Sequence, residues 1–172
     1  GLVWAGSTGH IDDHRRSCGA ELMSRIAVVP GVTVYNLQQN VNAGSVPGNL
    51  RSVWVDHSAA FHDVLETAGL VAHLDLVITV DTMVAHLAGA LGIPVWLMVP
   101  YAPDWRWMLG RRDSPWYPTM TLFRQEAVGE VAPVVAALGE QLARVTRRSP
   151  LARSRPSTLS PGCTRTGRSR NR

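Results

Sequence analysis

Apolar residues fall into short runs along the chain, separated by helix-length stretches with a different period. Runs rich in β-branched and aromatic residues at Leu2–Ala5, Val32–Leu37, Ser52–Val55, Leu76–Val80, Pro94–Val99 and Thr119–Phe123 read as strands. Between them, apolar positions recur at three- and four-residue spacing. Ser17–Val28 reads as a helix with Ser17 as N-cap and Leu22, Met23 and Ile26 on one face, stopped by Pro30-Gly31. A second helix, capped near Thr67, turns Leu70, Val71 and Leu74 inward. Thr82–Leu91 is the third, closed by Gly92 and then Ile93-Pro94, a left-handed stop followed by a ring that cannot continue a helix. Glu130–Thr146 is the last, presenting Val131, Val134, Val135, Leu138 and Leu142 to the sheet. Strands alternating with helices predict the α/β class, with a Rossmann-like parallel sheet and helices on both faces.

Two connections are long. Gln38 to Arg51 is rich in Asn, Gly and Pro. Pro100 to Pro118 holds Trp105, Trp107 and Trp116, three of the six tryptophans, too aromatic for a disordered segment. These rings could simply hold the loop down, and Asp104, Arg106, Arg111, Arg112 and Asp113 among them could form a surface ion-pair network, or the loop could bind a ligand.

Charge changes this picture only at one end. The 172 residues carry a net charge of +4, and all 17 basic residues are arginine. Eight arginines follow Thr146, whereas residues 1–146 hold nine arginines against all 13 acids, a net charge of −4. The body, residues 1–146, therefore presents no basic face for nucleic acid. Residues 147–172, rich in Arg, Ser, Pro and Gly, read as a disordered basic tail, the kind of sequence an out-of-frame GC-rich gene produces. Cys18 and Cys163 are too few for a disulfide framework. With no transmembrane run and no signal peptide, the chain reads as soluble and cytoplasmic, including the inner face of the membrane. It starts at Gly1 inside a strand-like run, so a piece of a longer protein is expected.

In an open parallel sheet, ligands collect beyond the carboxyl ends of the strands, where the strand order reverses. After the first strand, Gly6-Ser7-Thr8-Gly9-His10 is a small polar loop whose N–H groups can approach an anion, although it has neither GxGxxG nor the Walker lysine. His10 to Ser17 holds imidazoles and carboxylates, but adjacent loop residues seldom converge on one ion, so the segment reads as a polar loop in which Arg15 or Arg16 is available to a phosphate, and no metal site is assigned. The strongest candidate is Asp81-Thr82 at the junction of strand and helix, with His86 one turn further on the same face. Asp81 and Thr82 can cap the helix or hold a ligand hydroxyl. Ala85, Ala88, Gly89 and Ala90 keep that helix thin enough to lie close to the sheet. An ordinary capped helix with a satisfied histidine fits this spacing equally well. His57, His62 and His73 show no ligand spacing.

The strings GLVWAG, DHRRS, VDTMVAHLAGALG and PYAPDWRWMLGRRDSPWYP resemble the C-terminal domain of bacterial glycosyltransferase family 9-like proteins. These are relatives of the ADP-heptose:lipopolysaccharide heptosyltransferases, often found behind tetratricopeptide repeats. The resemblance covers nearly all of residues 1–146. It implies the C-terminal half of a GT-B fold, which binds the nucleotide of a sugar donor. It would place Asp81, Thr82 and His86 at the phosphate-binding helix, Gly6, Ser7 and Arg16 beside the donor diphosphate, and Gln38 near the nucleoside. Relatives have an apolar residue and Pro where Cys18-Gly19 stand, and acidic or Gly positions at His57-Ser58. No DxD motif is present, and the resemblance implies glycosyl transfer without a metal or other cofactor. The family's acceptor site and general base lie in an N-terminal half that this chain lacks, so no catalytic base is assigned, and the expected partners are a nucleotide-sugar and that missing acceptor or repeat domain. The alternative is a non-catalytic interaction domain of a tetratricopeptide-repeat protein.

Overall fold

A computed structural model describes residues 1–39, 54–56 and 63–148. Six strands, β1 (Leu2–Val3), β2 (Val34–Asn36), β3 (Trp54–Asp56), β4 (Val77–Val80), β5 (Val95–Val99) and β6 (Met120–Arg124), form one sheet in the order β3-β2-β1-β4-β5-β6. All five pairings are parallel. This is the doubly wound order, and it reverses between β1 and β4.

Side-chain alternation along each strand sends neighbouring residues to opposite faces. On one face Leu2, Trp4, Ile78, Val80, Met98 and Phe123 pack against α2 (Ala20–Ala27) and α5 (Val131–Arg148) through Met23, Ile26, Val134, Val135, Leu138 and Leu142. On the other, Val3, Val77, Val95, Leu97, Val99 and Leu122 meet α3 (Val64–Val71) and α4 (Met83–Ala90) through Val71, Val84, Ala85 and Ala88. The α/β class and the helices on both faces are as the pattern of the sequence predicts.

Two helix starts differ from that pattern. Ser17 does not cap α2: it is extended, at φ −83° and ψ 149°, and ends a one-turn helix α1 (Asp13–Arg16). Its hydroxyl instead accepts from the Gly6 N–H at 2.9 Å, and Gly19 stands at the start of α2. The hydroxyl closes the β1 loop, three residues before the helix begins. Nor does Thr67 start α3. Asp63 does, its carboxylate accepting from the Glu66 N–H at 2.8 Å, and Thr67 is a buried interior residue. At the other end of the chain α5 continues through Arg147 and Arg148, two cations placed where a helix C-terminus favours them. The expected stop at Gly92 is present, with φ +72°. Most of the Gln38–Arg51 connection, His57-Ser58, His62 and residues 149–172 with Cys163 lie outside the described residues.

Cys18 lies between β1 and α2, and burial pushes its thiol up to about 12. The thiolate is the reactive form. We therefore expect iodoacetamide at pH 8 to leave Cys18 unmodified in the native chain and to label it once urea unfolds the protein, as peptide mapping would read. Rapid native labelling would contradict that burial.

Candidate functional site

The β1–β4 reversal opens a cleft of about 830 Å³ at the carboxyl ends of the strands, within the size range of small-molecule sites. Gly6, Ser7, Arg16, Gln38, Asp81, Thr82 and His86 all line it, so residues far apart in the chain share one surface. His10, Asp12, Arg15, Asp104 and Arg106 complete its charged rim.

Arg16 ties the two sides of the cleft together. Its Nη1 donates to the Asp81 carbonyl at 2.8 Å and its Nε to Asp13 Oδ1 at 3.2 Å. Both side chains are mostly buried, at 16% and 14% exposure. Gly6 makes room for this pair, since a Cβ there would run into Asp13 Oδ1 and lie 2.6 Å from Arg16 Nη2. The guanidinium is thus engaged with its own chain while it borders the cleft.

Gln38 is equally tied to the backbone around it. It is only 6% exposed, its Oε1 accepts from the N–H groups of Trp4 and Ala5 at 3.0 and 2.8 Å, and its Nε2 donates to the Ala5 carbonyl at 3.0 Å. The side chain takes over the hydrogen bonds of the backbone where β1 ends. Ser7 is exposed, its carbonyl accepting from the His10 N–H at 2.9 Å.

The start of α4 carries no side-chain cap. Thr82 occupies the N-cap position with φ −141° and ψ 172°, but its hydroxyl lies 3.2 Å from that of Thr79 instead of on the helix N–H groups. The positive end of the helix dipole is left facing the cleft. One turn on, His86 Nδ1 sits 3.0 Å from the Tyr117 hydroxyl, and Nε2 lies 3.8 Å from Asp81 Oδ1, an ion-pair distance too long for a hydrogen bond. Thr82 and Asp81 therefore differ from the capping roles their spacing allows.

The loop from Pro100 to Pro118 is built against this histidine. Trp107, completely buried, stacks on the His86 ring at 5.3 Å and 24°, and Tyr117 meets it edge-on at 5.7 Å and 63°. Arg124 of β6 donates from Nη2 to the Trp107 carbonyl and from Nε to the Arg111 carbonyl, anchoring the loop. A Cβ on Gly89 would come within 2.6 Å of the Tyr117 ring, so this glycine admits the loop, whereas Ala85 and Ala88 face the sheet and Ala90 is exposed. The loop's charges form separate pairs, Asp104 with Arg106 at 2.8 Å and Arg111 with Asp113 at 2.7 Å, and Arg112 lies over Phe123 at 5.8 Å. Desolvation raises the Asp104 carboxyl, but hydrogen bonds from Arg106 and the charges of Arg106 and His86 outweigh it and hold the group below its usual value. Trp105 and Trp116 stay exposed at 66% and 51%, in a T-shaped pair at 6.1 Å.

Tyr117 carried no spacing signal: its partner is 31 residues away, and only the density of aromatics in the loop marks it. Asp104 and Arg106, for which the sequence left both an ion-pair network and a binding loop open, pair with each other and border the cleft. No group of three or more His, Cys, Asp or Glu among the described residues is arranged to hold an ion, and no helix among them is long and apolar enough to cross a membrane.

No family model and no solved structure matches the chain. Among curated proteins it is similar to Protein FlbA of Caulobacter vibrioides, 28% identical over 150 residues, a match that covers 83% of this chain and 24% of that protein. The chain thus spans about a quarter of the length of this relative.

Proposed function

We propose that the chain is the donor-binding half of a GT-B-type glycosyltransferase, which holds a nucleotide-sugar over the β1–β4 reversal and needs a further domain to supply the acceptor. The observation that carries this reading is the uncapped start of α4 opening on the cleft with His86 one turn above it. In glycosyl transfer the bond from the sugar's anomeric carbon to the phosphate oxygen breaks, and its electron pair leaves with the nucleoside diphosphate. Negative charge then grows on the diphosphate. Fixed N–H dipoles and an imidazole donor aimed at that charge stabilise it without reorganising. Arg16 acts here chiefly by holding Asp81 and the start of α4 in place, while Arg15 and Arg106 on the rim are paired with Asp12 and Asp104, so the start of α4 and His86 carry the charge argument.

A non-catalytic interaction domain is the second reading, and the exposed Trp105–Trp116 pair favours it, since aromatic side chains are enriched at protein interfaces.

Thermal unfolding of the full chain with ADP, UDP, GDP and dTDP, and with their sugars, separates the two. A ligand at one hundred times its Kd stabilises the native state by roughly 2.7 kcal/mol. We expect one base to be preferred and His86→Ala to weaken its binding about tenfold, the effect of one hydrogen bond to a charged group. A folded chain indifferent to every nucleotide would favour the interaction reading.

A further inference from the structure

We propose that Tyr117 is the positioning residue for His86: its hydroxyl donates to Nδ1, sets the uncharged ring as the Nε2–H tautomer and turns that N–H into the cleft as a donor for an anionic oxygen. The inference deepens the donor-site reading, and rests on it only for the identity of the ligand.

The two ring nitrogens have separate roles. An uncharged imidazole has one donor and one acceptor, and the partner of one nitrogen decides the role of the other. Nδ1 faces the Tyr117 hydroxyl at 3.0 Å, a group able to donate or accept, and the Asp81 carboxylate on the other side of the ring selects donation to Nδ1. Nε2 faces the Asp81 carboxylate at 3.8 Å, close enough to favour a proton on that nitrogen but too far to engage it. Among the described residues Nε2 makes no hydrogen bond. A donor so placed on a cleft wall, beside the open end of α4, suits an incoming phosphate oxygen. A protonated ring also offers Nε2–H, with Nδ1–H donating to the tyrosine oxygen, so the cleft sees a donor in both charge states.

The surroundings keep this arrangement in one orientation. Trp107 lies on the face of the imidazole and blocks a tilt. The Tyr117 ring lies against Gly89, where a side chain of any size would push it away. Together the stack, the edge contact and the hydroxyl define the ring's plane and tautomer, and all come from the Pro100–Pro118 loop.

The test is nitrogen NMR of the full chain with 15N-labelled histidine, the His86 signals assigned by their loss in His86→Gln. We expect a pyrrole-type Nε2 and a hydrogen-bonded pyridine-type Nδ1 in the uncharged ring. In Tyr117→Phe, which keeps the ring and loses only the hydroxyl, the Nδ1 signal should lose its hydrogen-bonded shift and the two tautomers should mix. Nucleoside diphosphate binding should weaken about tenfold with little change in unfolding temperature. A wild-type ring with the proton on Nδ1, or a Tyr117→Phe spectrum identical to wild type, would overturn the proposal. If Tyr117→Phe does not fold, Gly89→Ala moves the same ring with both side chains present and should give the same mixing of tautomers; an unchanged spectrum there counts against the proposal too. If ADP, UDP, GDP and dTDP all fail to bind the wild-type chain, the donor-site reading falls, while the tautomer still decides whether Tyr117 positions His86.

Discussion

Trp107→Ala should destabilise the chain by about 3–5 kcal/mol, the usual cost of truncating a large buried aromatic. Trp107 is completely buried and belongs to the core cluster on the α3–α4 face. Its removal leaves a void under the loop and frees one face of His86, so chemical denaturation should show the loss of stability and the His86 nitrogen signals should broaden. Trp107→Phe should cost far less. The smaller ring still covers the imidazole, and the indole N–H it deletes is buried with no acceptor among the described residues. A loss below about 1 kcal/mol for the alanine variant would mean that the loop is merely laid on the surface, against its place in the core.

Arg16→Ala should cost about 3 kcal/mol, because it leaves Asp13 a mostly buried carboxylate without its cation and cuts the bond to the Asp81 carbonyl. The paired replacement Asp13→Asn with Arg16→Ala should recover part of that loss, since it removes the orphaned charge as well. A double-mutant cycle by urea denaturation reads the coupling directly. If the two single changes simply add, the pair holds nothing together and the cleft is framed by the sheet alone. Arg16→Lys is not a neutral swap: an ammonium cannot reach Asp13 and the Asp81 carbonyl from the two sides of a flat group.

Much of the architecture is legible from local chemistry. β4 and β5 read as strands because nearly every position is apolar or β-branched, which is what burial on both faces requires. The end of α4 is legible because Gly92 and Pro94 act through their own backbones. The two helix starts mislead for one reason. Ser17 and Thr67 both look like caps, and each hydroxyl has a nearer use, Ser17 on the Gly6 N–H and Thr67 on the Asp63 carbonyl. At the cleft, Asp81, Thr82 and His86 can be chosen because a strand-to-helix junction announces itself in sequence. What holds His86 cannot, because Tyr117, Trp107 and Gly89 meet through the folding of a loop that has no period to read. The family resemblance sets Arg16 and Gln38 beside a ligand, and their hydrogen bonds go largely to the frame.

The sheet is narrowest at β1. This strand is two residues long and meets β4 through two register pairs, Leu2 with Ile78 and Val3 with Thr79. In the sheet, β2 and β3 reach the other three strands only across Leu2 and Val3, so the sheet itself is two leaves joined at a short spine, with the core under α2 and α5 running across both. Gln38 and Arg16 are stitches on either side of that spine, one holding the end of β1 and the other the end of β4. A molecule seated in the cleft rests on both leaves, and its grip would be felt beyond the atoms it touches, as slower solvent exchange of amide protons on β2, a strand with no residue in the cleft wall.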